Sequence, residues 1–513
     1  MRRTLRLALA GASAATTLAA AGATAAAHPS GHRQTLVVHR GATTRPRPRD
    51  FLSLSLTYRA IERWTGPPGR PVDPVLVQLE RNLDPGGTPI LRVGGQGADR
   101  TWWPVRGMRR PLGVSNALSP RFTRAARRLA EAMPARYLLQ VNLEADSQRL
   151  TRVESHHLVA GIGRSRIAAL EIGNEPDLYS SIPWYWESGG HALPWYADRG
   201  SPVFARGPSY GAAQFLAEVR HTLRVLPPHV PIAGPDLVTP AWLGAYAALM
   251  TRHSRVRFLD VHAYPLVKCV TDPTSPRYPS VAHLLALGAS RDLLAGAGPF
   301  VGRARRDRGR FLVDELGSDS CGGVARVDDS MASALWVIDA LFALDRAGVD
   351  GVALHTVPGL ANGLFGVRAS HGRWRARIHP LYDGALLFAD AAPAGSRLLP
   401  VTGADPARLR TWATIAPDRL VRVVVVNPGP ATSVTVRAPA GYRSRAAEVE
   451  RLRGPGAGAR NGITFAGRRF TRTSTGVIPQ PHPGIARPRA FGYRIALPAA
   501  SAALVTLSPH RPG

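Results

Sequence analysis

Eight apolar, β-type runs alternate with amphipathic segments along the middle of this chain, and that alternation restricts its fold more than any other feature. The runs are FLSLSLT (from Phe51), PILRVGG (Pro89), RYLLQVNL (Arg136), IAALEIG (Ile167), VPIAGPD (Val230), RFLDVHAY (Arg257), RFLVDE (Arg310) and DGVALHT (Asp350). Between them lie segments such as SPRFTRAARRLAEAMP, YGAAQFLAEVRHTLRVL and DSMASALWVIDALFALDRAG. The last two carry apolar residues at helical spacing. Eight strands alternating with helices over roughly 340 residues predict a (β/α)8 TIM barrel, here placed at residues 50–386. A doubly wound open sheet is the rival, but no glycine-rich phosphate loop opens the first helix. After Leu387 the texture changes to RLRTWATIAP, RLVRVVVVNPG, ATSVTVRAP, YRIALP and AALVTLSP, short runs broken by Gly, Pro and Asn. Residues 387–513 therefore read as a C-terminal antiparallel β-sandwich.

The start of the chain has a basic tip, an Ala/Leu run and small residues up to Ala27, the pattern of a secretory signal over residues 1–27. Arg2-Arg3 also fit a twin-arginine signal. Residues 28–49, with TTRPRPRD, read as a Pro/Arg-rich linker. No later run is long and apolar enough to span a bilayer, so the expectation is an exported, soluble protein without stable membrane association. The formal net charge is +30. The positive charge is almost all arginine, spread along the chain with one lysine, Lys268, and no nucleic-acid-binding motif accompanies it. Nucleic acid is therefore not the expected partner, whereas scattered basic charge would favour encounter with an anionic polysaccharide. Two cysteines, Cys269 and Cys321, in an oxidising compartment predict a disulfide.

The chemistry concentrates where apolar runs end. AALEIGNEPDLYS leaves its strand abruptly: Gly173 permits backbone geometry closed to other residues, and Pro176 pushes Glu175 away from the helical region. Asn174 and Glu175 are thereby presented at the C-terminal rim, where barrels of this kind build their sites. A second carboxylate, Glu315, follows the seventh run in RFLVDELGSDSCGG. Two carboxylates after the fourth and seventh strands can face each other across one rim. If they stand about 5–5.5 Å apart, the geometry suits retaining glycoside hydrolysis.

On these residues the sequence resembles the clan of retaining β/α-barrel glycosidases. FLSLSLTY, LRVGGQGAD, LEIGNEPDLY, DVHAYPL..C and DELGSDSCGG, with ITFAGRRFT further on, resemble glycoside hydrolase family 79, which holds β-glucuronidases and heparanases. The resemblance implies Glu175 as acid/base and Glu315 as nucleophile. It implies Asn174 on the sugar 2-hydroxyl and Tyr264 on the nucleophile, with the backbone N–H groups of Gly322 and Gly323 on a uronate carboxylate. His262 and His355, which end strands, and Asp99, which closes LRVGGQGAD, complete the expected substrate-binding set. Two positions depart from the family. Thr57 stands where an acidic residue is usual, and no tyrosine lies between Tyr278 and Tyr382, so the loop after the eighth strand supplies none; the nearest aromatic is Phe365. The expected activity is β-glucuronidase-like. The alternatives are a β-glycosidase for neutral sugars, such as a β-glucosidase or β-galactosidase, and a catalytically inactive carbohydrate-binding protein. No three His, Asp or Glu residues show zinc spacing, so neither metal nor cofactor is expected.

Overall fold

The computed structural model describes residues 34–370, 372–442 and 446–510. The predicted leader, residues 1–27, lies outside the described residues. In chain order the strands used below are β1 (Gln34–Val38), β2 (Leu52–Leu56), β3 (Ile90–Val93), β4 (Arg136–Val141), β5 (Ile167–Ile172) and β6 (Ile232–Ala233). They continue with β7 (Phe258–Ala263), β8 (Arg310–Leu316), β9 (Gly351–His355), β10 (Phe365–Ser370) and β11 (Arg373–Ile378). The principal helices are α1 (Tyr58–Thr65), α2 (Pro74–Leu83), α3 (Pro120–Ala132), α4 (Gln148–Ile162), α5 (Ala212–Val225), α6 (Leu243–Arg252), α7 (Gly298–Arg306), α8 (Met331–Ala347) and α9 (Pro380–Ala391).

All eight predicted strands form one parallel sheet, ordered β6-β5-β4-β3-β2-β9-β8-β7. The sheet closes between β6 and β7 through the parallel bridges Ile232↔Val256 and Leu237↔Val261, giving a (β/α)8 barrel. Alternation within each strand explains why these runs looked apolar on both faces. Leu91 and Val93, Leu139 and Val141, and Leu170 and Ile172 point outward into the helix layer. The inward positions form two layers. Ile90, Leu138, Ala169, Ala233, Phe258 and Leu312 fill the lower one. Above them, Arg92, Gln140, Glu171, Asp236, Asp260 and Asp314 are all buried and polar. Each contributing strand thus carries one or two polar groups at the level where the substrate end of a barrel lies.

The C-terminal domain adds β12 (Arg410–Ile415), β13 (Val421–Asn427), β14 (Thr432–Arg437), β15 (Ala447–Arg453), β16 (Arg472–Thr473), β17 (Gly492–Leu497) and β18 (Ser501–Leu507). Its central sheet runs β12-β13-β18-β15, all antiparallel. The continuous valines of β13 are buried on two sides. Val421, Val423 and Val425 face the sandwich interior, while Val424 and Val426 pack with the barrel's cluster, where α8 and α9 touch the strand.

Two predicted boundaries need correction. Residues 28–49 are not simply a linker: β1 joins the sandwich, parallel to β14 in the register Gln34↔Val434 and Leu36↔Val436. Leu36 and Val38 are buried there, so TLVV behaves as a half-buried strand. Its parallel pairing also makes the sandwich not wholly antiparallel. The division after residue 386 falls inside α9, which continues to Ala391.

Candidate active site

Gly173 (φ +77°) opens the turn after β5, and a Cβ there would stand 2.5 Å from the Tyr179 hydroxyl. Glu175 follows in the left-handed region (φ 49°, ψ 52°), its N–H donating to Asp236 O at 3.0 Å. For a non-glycine residue this is uncommon backbone, held by its surroundings, and such conformations cluster at functional sites. Asp99 organises the turn. Its carboxylate accepts from the N–H groups of Leu143 and Asn174 (both 2.8 Å) and from the Tyr179 hydroxyl (2.6 Å). Both oxygens are thus engaged and the residue is 1 % exposed, so Asp99 acts here by positioning Asn174 rather than by offering itself to a ligand.

Glu315 reaches the site through an irregularity. Strict alternation along β8 would send it outward with Phe311 and Val313, because Asp314 faces the barrel interior. The register shifts between Val313 and Leu316 against β9, and between Val261 and His262 against β7. These bulges re-aim the strand end, so that Asp314 and Glu315 both turn toward the axis. Gly317 leaves room for Tyr264, whose ring a Cβ would meet at 2.4 Å. The Tyr264 hydroxyl donates to Glu315 Oε1 at 2.5 Å. Arg92 Nη1 donates to Glu315 Oε2, and His355 Nδ1 lies 3.4 Å from that oxygen.

The opposing side is tied by His262. Its Nδ1 is 2.8 Å from Glu175 Oε1, and its Nε2 is 2.5 Å from Asp236 Oδ1. Carboxylate oxygens of Glu175 and Glu315 and a ring nitrogen of His262 all lie within 4.8 Å of one another. Asn174 Oδ1 accepts from Arg92 Nη2 at 3.1 Å, which leaves its amide nitrogen unbonded among the described residues.

The charges sort themselves. Burial alone would raise the Glu315 carboxyl, but the neighbouring His355, His262 and Arg92 and the Tyr264 hydroxyl hold it well below its ordinary value. His355 is itself pushed down by burial against the pull of Glu315, so it is neutral at pH 7. The cations that keep Glu315 ionised at that pH are therefore His262 and Arg92. His262 is held well above its ordinary value, because Asp236, Glu315 and Glu175 outweigh its burial. Behind them, burial pushes Glu171 up to about 8, Asp314 to about 7 and Asp236 to about 6. An ionised glutamate beside a tyrosine hydroxyl is equipped to attack an electrophilic carbon. The half-buried Glu175 across from it is equipped to move a proton.

Arg92 went unnoticed in the sequence. It is fully buried and bonds to Glu171, Asp236 and Asn174 as well as Glu315, so its guanidinium fork is the hub that fixes both sides of the site. The signal was a lone charge inside LRVGG, matched by lone acids in IAALEIG, FLDVHA and AGPD. By distance, three sets among the described residues could also hold an ion: Glu175–His262–Glu315, with Glu175 half-buried, and the fully buried Asp236–His262–Asp314 and Glu171–Asp260–Asp314. In the first two an ion would have to displace a ring proton of His262, which its carboxylate neighbours favour.

Gly322 and Gly323 follow Cys321 in a loop beyond β8, all three with positive φ. Neither glycine N–H makes a hydrogen bond among the described residues, and Gly323 sits against Asn362. Cys269 and Cys321 are brought together, their sulfurs 2.6 Å apart, with both side chains present as thiols in this structure. Thr57 Oγ1 caps α1 by accepting from Ala60 N–H. Phe365 is buried against Trp64 and Tyr382.

Fold and site together define a closed β/α barrel with two opposed glutamates at its C-terminal rim, carried beside a β-sandwich. No family model matches this sequence, and no curated protein matches it. Solved structures do share the architecture. A 4-O-α-L-rhamnosyl-β-D-glucuronidase from Fusarium oxysporum 12S superposes with a TM-score of 0.67 at 18% identity, over 92% of this chain and 100% of the other. The GH51 arabinofuranosidase from Xanthomonas axonopodis pv. citri gives 0.60 at 15% identity, over 92% and 99%. A glycoside hydrolase family 30 subfamily 8 xylanase from Clostridium acetobutylicum gives 0.51 at 13%, over 92% and 99%. At these identities the likeness is one of fold.

Proposed function

We propose that the protein is an exported retaining β-glycosidase, and within that class a β-glucuronidase acting on glycans or glycosides. The observation that carries this reading is the approach of Glu175 and Glu315, whose carboxylate oxygens come within 4.8 Å. Retaining enzymes hold the two carboxyl groups about 5–5.5 Å apart for direct attack, whereas inverting enzymes need about 6.5–9.5 Å to admit a water between. Glu315 attacks the anomeric carbon as Glu175 gives its proton to the departing glycosidic oxygen, leaving a glycosyl ester on Glu315. Glu175 then takes a proton from water, the water oxygen attacks the same carbon, and the Glu315 carboxylate is released. Arg92 and Tyr264 hold the nucleophile ionised and aimed, and the free amide of Asn174 is available to the 2-hydroxyl.

Uronate preference is supported by the unbonded N–H groups of Gly322 and Gly323, and by the fold shared with a structure described as a rhamnosyl-glucuronidase in complex with Rha-GlcA. A neutral-sugar reading is favoured by two observations: Thr57 serves as a helix cap, and Phe365 is buried and presents no ring to a ligand. A panel of nitrophenyl β-glycosides separates the readings. The expected result is a kcat/KM for the glucuronide about 10–100-fold above those for the glucoside and galactoside. Equal values would favour the neutral-sugar enzyme, and no turnover of any member would favour a binding protein. Export rests on the leader sequence, and N-terminal sequencing of secreted protein should begin after Ala27.

A further inference from the structure

We propose that a surface beside the catalytic rim, built on the β10–β11–β16 sheet, binds an extended anionic polysaccharide. Choosing a uronate chain among polyanions rests on the glycosidase reading above. The surface begins with a groove of about 640 Å³ lined by Arg63, Pro358, Arg368, Arg375, Arg377 and Arg472. Four of these arginines belong to one small antiparallel sheet, and the pairing places like charge against like. Arg368 is directly opposite Arg375 across β10 and β11, and Arg377 is directly opposite Arg472 across β11 and β16.

Directly opposed residues share a face, as do Arg375 and Arg377 two positions apart, so all four arginines project from one side. Opposed residues stand about 4.5–5.5 Å apart, and two positions along a strand add about 6–7 Å. The other face carries the buried Ala376 and Ile378, which anchors the sheet. Like charges directly opposite destabilise a strand pair. No ion pair to any of these arginines is present among the described residues, and all four are exposed. Among the described residues no carboxylate pairs with these arginines to offset the repulsion; a row of anionic groups laid over the sheet would.

The surface runs on toward the C-terminal rim of the barrel. Arg63 and Pro358 also line a second cavity of about 550 Å³, which reaches Thr57 just past the end of β2. Pro358 is three residues beyond His355, the strand end that touches Glu315. That cavity presents Trp195 and the 71 % exposed Tyr196, flat apolar rings of the kind on which sugar faces stack. Charge on the sheet and aromatic surface near the rim fit one chain lying across both, with its cleavable bond at Glu315. A nucleic acid would also meet positive charge, but it has no reason to end at a pair of catalytic carboxylates.

Binding is measurable without turnover. The full chain carrying Glu315→Gln should bind a glucuronate decasaccharide in isothermal titration, with an affinity that falls as salt rises from about 50 to about 200 mM. A neutral glucan of equal length should bind at least about tenfold more weakly. The double substitution Arg375→Ser with Arg377→Ser should weaken the uronate chain about tenfold. It should do so without lowering the melting temperature, because it relieves the opposed charges. Unaltered affinity in the double variant, no binding by the parent, or equal binding of the glucan overturns the proposal. Single-stranded DNA of matched charge bound as tightly as the decasaccharide overturns it in favour of nucleic acid. Hydrolysis with unaltered binding in the double variant would sink this inference alone; binding without hydrolysis by the wild type would sink the glycosidase reading alone.

Discussion

Glu175 and Glu315 owe their roles to different surroundings, and each difference gives a test. The Glu175 carboxylate is hydrogen-bonded through Oε1 to His262, and its Oε2 makes no hydrogen bond among the described residues. Glu175→Ala should therefore slow glycosides with poor leaving groups far more than activated aryl glycosides, which need little protonation. Added azide should restore turnover and yield a β-glycosyl azide; equal loss on all substrates with no azide product would reassign the residue. Glu315 must be ionised to attack, and its folded value is held well below the ordinary one. The acid limb of kcat/KM should then lie below about pH 4.5, the ordinary glutamate range. Tyr264→Phe removes a hydrogen bond to the charged form, so the limb should move toward neutral pH; an unmoved limb would mean that the tyrosine only lines the site. Both glutamates were legible in the sequence because each ends an apolar run beside a turn-forming residue. Arg92 was not, because a charge in mid-strand looks like a break in a pattern until the barrel closes around it. Asp99 was legible as part of the site, but its positioning role depends on contacts from the turns after β4 and β5 that no local pattern reveals.

Among the elements, β5, β7 and β8 bring Glu171, Asp260 and Asp314 to one buried level beneath the catalytic pair, and burial raises all three. An acid whose folded pKa exceeds its unfolded value keeps a proton that the unfolded chain has lost. Stability contributed by these groups is thus greatest below about pH 4 and falls as pH rises through the unfolded values toward about 8. Asp260→Asn keeps an oxygen to accept the Asp236 N–H, now 2.9 Å away, and removes one titrating group. Its urea-unfolding free energy should fall less steeply than the wild type's between about pH 5 and 8; parallel curves would contradict the assignment. The cysteine loops belong to this scale too. Leu266–Val267 pairs in parallel with Asp319–Ser320, which sets Cys269 and Cys321 side by side. Mild oxidation should consume both thiols within one chain and stabilise it by about 2–4 kcal/mol across the 52-residue separation. Two thiols still titratable afterwards would show that the loops do not permit the bond. Strand positions were readable from periodicity, but the bulges that turn Glu315 inward were not, since they arise from register between neighbours.

At the scale of the whole molecule, the barrel and sandwich share β13, whose alternate valines belong to two clusters. The unbroken RVVVVN run announced a strand buried on both faces, although not what covered each face. The placement of β1 was beyond a local reading, because its partner β14 lies at the opposite end of the sequence. The barrel itself was legible from eight alternations. That architecture is what brings Glu175 and Glu315 together, and the central claim is that their separation supports double displacement at a sugar's anomeric carbon. Proton NMR of the first product formed from an aryl β-glucuronide, or from whichever β-glycoside of the panel is cleaved, tests it most directly. The β-anomer should appear first and mutarotate later, as two successive inversions require; first appearance of the α-anomer would rule out double displacement.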